Sequence, residues 1–461
     1  MTTAVERLSA ELGPDLVKTG ADIPARNTHD AAGMAPETPL ALVLPRTVED
    51  VSRALRICHA EHQPVVTQGG MTGLAGGAHP APTEVALSLE RMVGVEEIDA
   101  SSGTLTALAG TLLEDVQRAA EEAGFICGID LGARGSCSIG GNVATNAGGN
   151  QVLRYGMARR NVLGLEVVQA DGAIVRSLNK MLKNNAGYDW TQLFIGSEGT
   201  LGVITRVVLG LHPRPRDVRT ALLAVKDFDA ALTTLRFLQD RAAGGLLVFE
   251  GMWREMYEIA TTVIDVDAPI PPQHDLYLLI EMAGGMQVAG EADVMETMLS
   301  SLYEQGAVED AVIAKSTAES RRLWALRESV YEYGRLMPKL VGFDISIPLN
   351  RMADSVDRFR RDLPALFPGA QYVLYGHIAD SNLHLMVMPK IYSDDVKKTI
   401  EDAVYAVTAE FGGSISAEHG IGRMKRPYLA HSRTEPELAL MRTIKAALDP
   451  AGILNPGRVL A

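Results

Sequence analysis

Apolar residues fall into two textures along this chain. Up to residue 213 the apolar runs are short and separated by turn residues. Strands are predicted at 64–67, 85–89, 104–109, 162–170 and 173–176, with Asp171 and Gly172 as the hairpin turn between the last two, and one more strand ends at residue 211. Helical spacing occurs twice here. Thr47 can cap a helix in which Val51, Ala54, Leu55 and Cys58 share a face. Thr111 and Glu114 have the spacing of a capping box, for a helix that turns Val116, Ala119, Ala120 and Ala123 inward and is closed by Gly124.

Pro213 and Pro215 break regular structure and predict a domain border. Beyond it, strands predicted at 220–225, 246–250, 276–281, 341–347, 372–375 and 383–387 alternate with amphipathic helices. A last helix is predicted at 436–448. This order gives an α+β protein whose second part carries an open antiparallel sheet.

Three polar, glycine-rich runs interrupt the first part. The run 132–156 reads GARGSCSIGGNVATNAGGNQVLRYG and has almost no bulky packing groups. Glycine lets backbone approach a ligand closely, and successive N–H groups in such turns make concave anion sites. A surface loop of turn residues has the same composition. The length of the run favours a functional cradle for a phosphate-bearing group. The run 68–77, QGGMTGLAGG, follows a strand, which is the order expected of a phosphate site. Neither run fits GxxxxGK[ST] or GxGxxG, which excludes the P-loop and Rossmann patterns. The third run, GSEGTLGVIT, spans 196–205.

Composition narrows the classes. A chain of 461 residues needs more than one core. A formal net charge of −14 argues against a nucleic-acid surface. No window has the roughly 18 apolar residues of a membrane span, and the first residues lack a secretory signal pattern. The three cysteines, Cys58, Cys127 and Cys137, are too scattered for a disulfide framework or a CxxC site, so a cytoplasmic location is expected. No heptad or repeat sets the oligomeric state, and a homodimer stays open.

Candidate chemistry lies in the second part. In GHIADSNLH, 376–384, a hairpin turn at Asp380, Ser381 and Asn382 brings His377 and His384 together across two strands. Paired imidazoles suit Zn²⁺ or a similar ion, although two half-buried histidines bonded locally look the same. In SAEHGIGRMKR, 416–426, Glu418 supplies a third ligand type and His419 a base that titrates near neutral pH. Arg327 follows a helix start at Ser316 and Glu319 and lies on an apolar face with Leu323 and Tyr331. It either snorkels or anchors a carboxylate by two parallel hydrogen bonds.

Taken in order, QGGMTGLAGG, GSCSIGGNVATNAGGNQVLRYG, GSEGTLGVIT, YGHIADSNLH, SAEHGIGRMK and the terminal ILNPG give the chain a clear likeness. It resembles the FAD-linked oxidoreductases of the vanillyl-alcohol-oxidase type, and among them the D-2-hydroxyacid dehydrogenases, which include the D-2-hydroxyglutarate and D-lactate dehydrogenases. The resemblance runs from Pro45 to Pro456. It implies an FAD-binding domain of the PCMH type at 1–213, a substrate domain at 214–425 carrying a metal site, and a C-terminal helical segment at 426–461 that packs back on the FAD domain. It implies that the FAD is held by Gln68, Gly69, Gly70, Met71, Thr72 and Gly73, by Ser136, Gly140, Gly141, Asn142, Thr145, Asn146 and Gly148, and by Gly199, Ile204 and Asn455. Covalent flavin links in this family use histidine. The first loop carries Met71 and no histidine, so non-covalent FAD is expected. The resemblance further implies a divalent metal, zinc or manganese, on His377, His384 and Glu418, with His419 as base and Arg327 as the substrate's carboxylate anchor.

Three positions depart from the D-2-hydroxyglutarate enzymes. Their threonine, lysine and asparagine around the far end of the substrate correspond here to Tyr331, Gly342 and Met386. Without a cation, a second carboxylate would be buried unpaired at high cost. A monocarboxylic substrate with an apolar side chain is therefore expected, D-lactate or a larger analogue. Electrons would leave to an electron-transfer flavoprotein, a quinone or a cytochrome. A D-2-hydroxyglutarate dehydrogenase, an oxygen-using 2-hydroxyacid oxidase, a metal-dependent hydrolase and a non-redox nucleotide-binding module are the competing readings.

Overall fold

The computed structural model describes residues 3–242, 244–283, 293–336 and 339–460. The chain forms two compact units, one of Met1–Arg214 with Glu418–Ala461 and one of Pro215–Ala417. One border of the units lies at 214/215, between Pro213 and Pro215, and the other at 417/418. Residues from Glu418 onward hydrogen-bond into the first unit. Glu418 accepts from the Gly149 N–H at 2.6 Å, and Glu198 accepts from the N–H groups of Ile421 and Gly422.

The first unit holds two sheets. One has four strands in the order Val17–Lys18, Ala41–Val43, Val85–Ser88, Val65–Gln68, the last three mutually parallel. The helix Val48–Ala60 covers it, capped by Thr47 and burying Val51, Ala54, Leu55 and Cys58 as its spacing predicts. The other sheet is antiparallel and centres on Val203–Pro213, which pairs with Thr104–Leu108, Val162–Val168 and Phe125–Cys127. Its inward residues, such as Leu105, Leu165, Val167 and Val207, join the same core as the helix.

The chain's end completes this unit. Val65 donates to the Ile453 carbonyl and accepts from the Asn455 N–H, each at 2.8 Å. Arg458 is buried and bonds the Glu84 carboxylate.

Two local expectations differ. Thr111 does not cap the helix Leu113–Glu122, whose N-cap is Leu112 with no side-chain bond. Its hydroxyl instead ties the loop at Gly94 to Leu108. The run 132–156 is not one long loop. Short helices at Ile139–Ala144 and Val152–Tyr155 interrupt it.

The second unit is a seven-stranded antiparallel sheet, ordered Asp310–Ile313, Val218–Val225, Leu276–Ala283, Leu246–Trp253, Gln371–Gly376, Asn382–Met388, Val341–Ser346. All six predicted strands are present. Asp310–Ile313 is the one added, a partly exposed edge strand with no clear alternation. On one face the helices Arg254–Thr262 and Thr317–Glu328 pack over Leu222, Tyr277, Met252 and Tyr375.

Candidate active site

In the first unit the glycine-rich runs pack backbone to backbone. A Cβ on Gly70 would lie 2.1 Å from the Ser136 carbonyl oxygen and 2.7 Å from Cys137 Cα, so nothing larger than glycine fits between the two runs. Gly140 donates to the Ala109 carbonyl, and Ser138 caps the helix that carries Gly140, Gly141 and Asn142. Met71 and Asn146 adopt left-handed backbone, which non-glycine residues seldom do. The Asn146 side chain accepts from the Arg159 N–H, and Thr145 bonds the Gly141 carbonyl. Thr72 and Gly73 follow Met71 in the first loop, Gly148 lies against Glu418, and Ile204 is buried in the strand paired with Val167. Tight glycine contacts and strained turns are what a backbone cradle for a dinucleotide requires.

Two of the expected cofactor residues have side chains bonded within the protein. Gln68 is fully buried, donating to the carbonyls of Asn27 and Ala78 and accepting from Asn27. Asn455 accepts from the Thr67 N–H at 2.8 Å and donates to the Glu198 carbonyl at 2.7 Å, beside Gly199. Both hold the loops together.

Glu198 is the residue the sequence reading missed here. Its carboxylate accepts from Ile421 and Gly422, each at 2.7 Å, while its own N–H donates to Ala144. Burial pushes its carboxyl upward, against the two N–H groups and Lys425, which favour the charged form. One side chain thus fixes the segment that carries Glu418 and the half-buried His419.

In the second unit the sheet register gathers the other candidates. Gly342 lies opposite Met386 and Asp344 opposite His384, while Tyr375 pairs with His384 from the other side. Residues two apart share a face, so Met386, His384, Tyr375, Gly342 and Asp344 line one side of the sheet. His377 follows the end of the strand Gln371–Gly376, and its ring centroid is 5.5 Å from that of His384. Asp344 Oδ1 is 3.8 Å from His384 Nδ1 and accepts from Asn382 at 2.8 Å.

Arg327 is buried, not snorkelling. Its Nε donates to Glu250 Oε2 at 2.8 Å, and its Cζ lies 4.6 Å from the Tyr375 ring centre. The other oxygen, Glu250 Oε1, binds His377 Nδ1. Burial raises the Glu250 carboxyl, but His377 and Arg327 outweigh it and hold it at about 2. Tyr331, one turn beyond Arg327, is 68% exposed, so the two do not share one buried wall. A carboxylate on Nδ1 leaves Nε2 as the ligating atom of a metal-bound histidine, and this arrangement at His377 fits a metal ligand.

The match to known proteins extends over both units. Residues 214–459 match the C-terminal domain of FAD linked oxidases, and residues 39–177 match an FAD binding domain. The mitochondrial D-2-hydroxyglutarate dehydrogenase of Bos taurus is 42% identical over 420 residues, 91% of this chain and 76% of that protein. The D-2-hydroxyglutarate dehydrogenase of Xanthomonas citri is 41% identical over 431 residues, 91% of this chain and 89% of that protein.

The chain belongs to the FAD-linked D-2-hydroxyacid dehydrogenase family.

A further member, from Schizosaccharomyces pombe and provisionally named a mitochondrial D-lactate dehydrogenase, is 34% identical over 454 residues, 96% of this chain and 86% of that one. The family's PCMH-type fold is also that of p-cresol methylhydroxylase, with a TM-score of 0.77 at 18% identity, over 99% of this chain and 96% of that one. Alkyldihydroxyacetonephosphate synthase shares the fold at a TM-score of 0.73 and 16% identity, over 98% of this chain and 84% of that one. As in any member of the FAD-linked family, the cofactor bound is FAD. Among the described residues no helix is long and apolar enough to cross a membrane.

Proposed function

We propose that this family member oxidises a monocarboxylic D-2-hydroxyacid with an apolar side chain, of the D-lactate type or larger, to the 2-oxoacid. One observation carries the substrate choice. Gly342 and Met386 are direct partners across two strands, two residues along from Asp344 and His384, and neither bears a charge. Neither offers a cation to pair with a second carboxylate. The guanidinium of Arg327, held at Nε by Glu250, has the fork geometry that suits one carboxylate.

His377, His384 and Glu418 are the proposed ligands of a divalent metal, zinc or manganese. The Glu250 carboxylate behind His377 and the Asp344 carboxylate near His384 support that reading. A bound flavin would supply a hydride acceptor for the α-carbon, and a bound divalent metal a Lewis acid for the hydroxyl. His419 takes the hydroxyl proton, so the substrate loses one proton and one hydride. Arg327 fixes the carboxylate and so orients the α-carbon. The glycine cradle holds the FAD without a covalent bond. Electrons leave to an external acceptor such as an electron-transfer flavoprotein, a quinone or a cytochrome. Cys58, Cys127 and Cys137 are all free and buried, which accords with a reducing, cytoplasmic compartment.

2-Hydroxyglutarate is the second reading, favoured by the identity of 42% to a dehydrogenase named for it. Comparing kcat/KM for D-lactate, longer aliphatic and aromatic D-2-hydroxyacids, and D-2-hydroxyglutarate with an artificial acceptor tests the choice. Preference for an apolar monocarboxylate supports it. Equal or better use of D-2-hydroxyglutarate overturns it.

A further inference from the structure

We propose that Glu250 is a positioning residue that locks the metal-ligand imidazole of His377 and the carboxylate-binding guanidinium of Arg327 into one rigid unit. The proposal rests on the reading of His377 and Arg327 given above. Glu250 sits mid-strand in Leu246–Trp253 and is 1% exposed. Its two oxygens are divided: Oε1 on His377 Nδ1, Oε2 on Arg327 Nε at 2.8 Å. Those partners come from different elements, the end of a neighbouring strand and the last turn of the helix Thr317–Glu328. A lone acid amid Leu247, Val248, Phe249, Gly251 and Met252 has no reason to be buried for packing. It has a reason if both partners must be aimed.

The chemistry of each bond follows. A carboxylate on Nδ1 makes that nitrogen the proton donor and leaves the lone pair on Nε2, the atom a metal takes. A carboxylate on Nε fixes the plane of the Arg327 guanidinium, and so sets the direction in which the edge made by its two Nη groups can fork onto the substrate. The Tyr375 ring closes the array. It lies 4.6 Å from Arg327 Cζ, and its centroid is 4.8 Å from that of His384. Ligand and anchor are thereby set at a fixed separation, and a 2-hydroxyacid presents its hydroxyl and carboxylate on adjacent carbons.

Glu250→Gln tests this in the FAD-loaded protein. An amide has one acceptor and one donor end. One end must then confront either Nδ1–H of His377 or Nε–H of Arg327. Mn²⁺ and Zn²⁺ are titrated separately into chelator-stripped protein, and KM and kcat are measured after reloading. The expected result is metal affinity weakened about 10- to 100-fold, KM raised, and flavin content unchanged. Glu250→Asp, which keeps the charge, should recover part of the metal affinity and also serves if the glutamine variant fails to fold. Metal affinity and KM equal to wild type in both variants would overturn the proposal, as would a lower melting temperature with no change in either. Wild-type protein that binds metal but turns over no 2-hydroxyacid would sink the substrate reading alone, since the metal titration stands without it.

Discussion

Glu198 and Gly422 lie 224 residues apart in sequence and are joined by a carboxylate–amide hydrogen bond of 2.7 Å. The Ile421 N–H makes a matching bond to the other oxygen. Glu198→Ala would leave both donors without that acceptor, costing roughly 1–3 kcal/mol for each. The backbone bonds of Glu198 to Ala144 and Asn455 would persist. The variant should therefore keep its FAD, melt earlier, and lose kcat as the segment bearing His419 loosens. Flavin absorbance, melting temperature and steady-state kinetics read the three effects. A normal kcat would mean that the segment holds itself.

Gly342 has room for a side chain. A Cβ there would meet nothing nearer than Leu340 Cδ1 at 3.7 Å. Gly342→Lys would supply a cation beside Met386, and one charged hydrogen bond contributes about 1.5–3 kcal/mol. The kcat/KM for D-2-hydroxyglutarate should rise about tenfold or more, while that for D-lactate falls. No change in the ratio would separate these positions from the substrate.

His419→Ala should retain the yellow flavin spectrum and lose about 10²- to 10⁴-fold in kcat, the usual contribution of a positioned base. Chelation should abolish turnover without releasing FAD. Full activity of metal-free protein would remove the metal from the scheme.

Gly70→Ala forces backbone against the Ser136 carbonyl, which a Cβ would approach to 2.1 Å. The two runs must separate, at a cost of about 2 kcal/mol or more. The ratio of flavin to protein should fall sharply, and a stoichiometric ratio would show that the cradle lies elsewhere.

Asp50 links stability to pH. Burial raises its carboxyl, but the N–H groups of Arg46 and Thr47 and the Arg53 guanidinium outweigh this and hold it below the ordinary range. Such a group stabilises the fold above its unfolded pKa of about 3.9 and loses that contribution as pH falls through the folded value. Asp50→Asn should cost about 1 kcal/mol at pH 7 and progressively less below pH ~4, measured by thermal unfolding across pH.

The glycine runs were legible because close backbone approach leaves composition no freedom: Gly70 against Ser136 admits nothing else. His377 and His384 were legible because a short turn brings them together. Glu250 was not. Its partners stand 77 and 127 residues away, and within its own strand it is one acid in an apolar run. Gln68 shows the converse. Its place in a cofactor-like loop was plain, yet its amide faces Asn27 and Ala78, partners that no local pattern names. Thr111 had capping-box spacing, and the loop at Gly94 captured its hydroxyl instead.

The insertion of Pro215–Ala417 between the two pieces of the first unit has a consequence for synthesis. While the chain emerges from the ribosome, Val65 waits for Ile453 and Asn455, and Glu84 waits for Arg458. The second unit has all its strands and can fold while the first is still open. Nascent protein should therefore acquire flavin only once residues 453–458 have emerged, and any arrest short of residue 453 would yield a folded inner unit on an apo, protease-sensitive host.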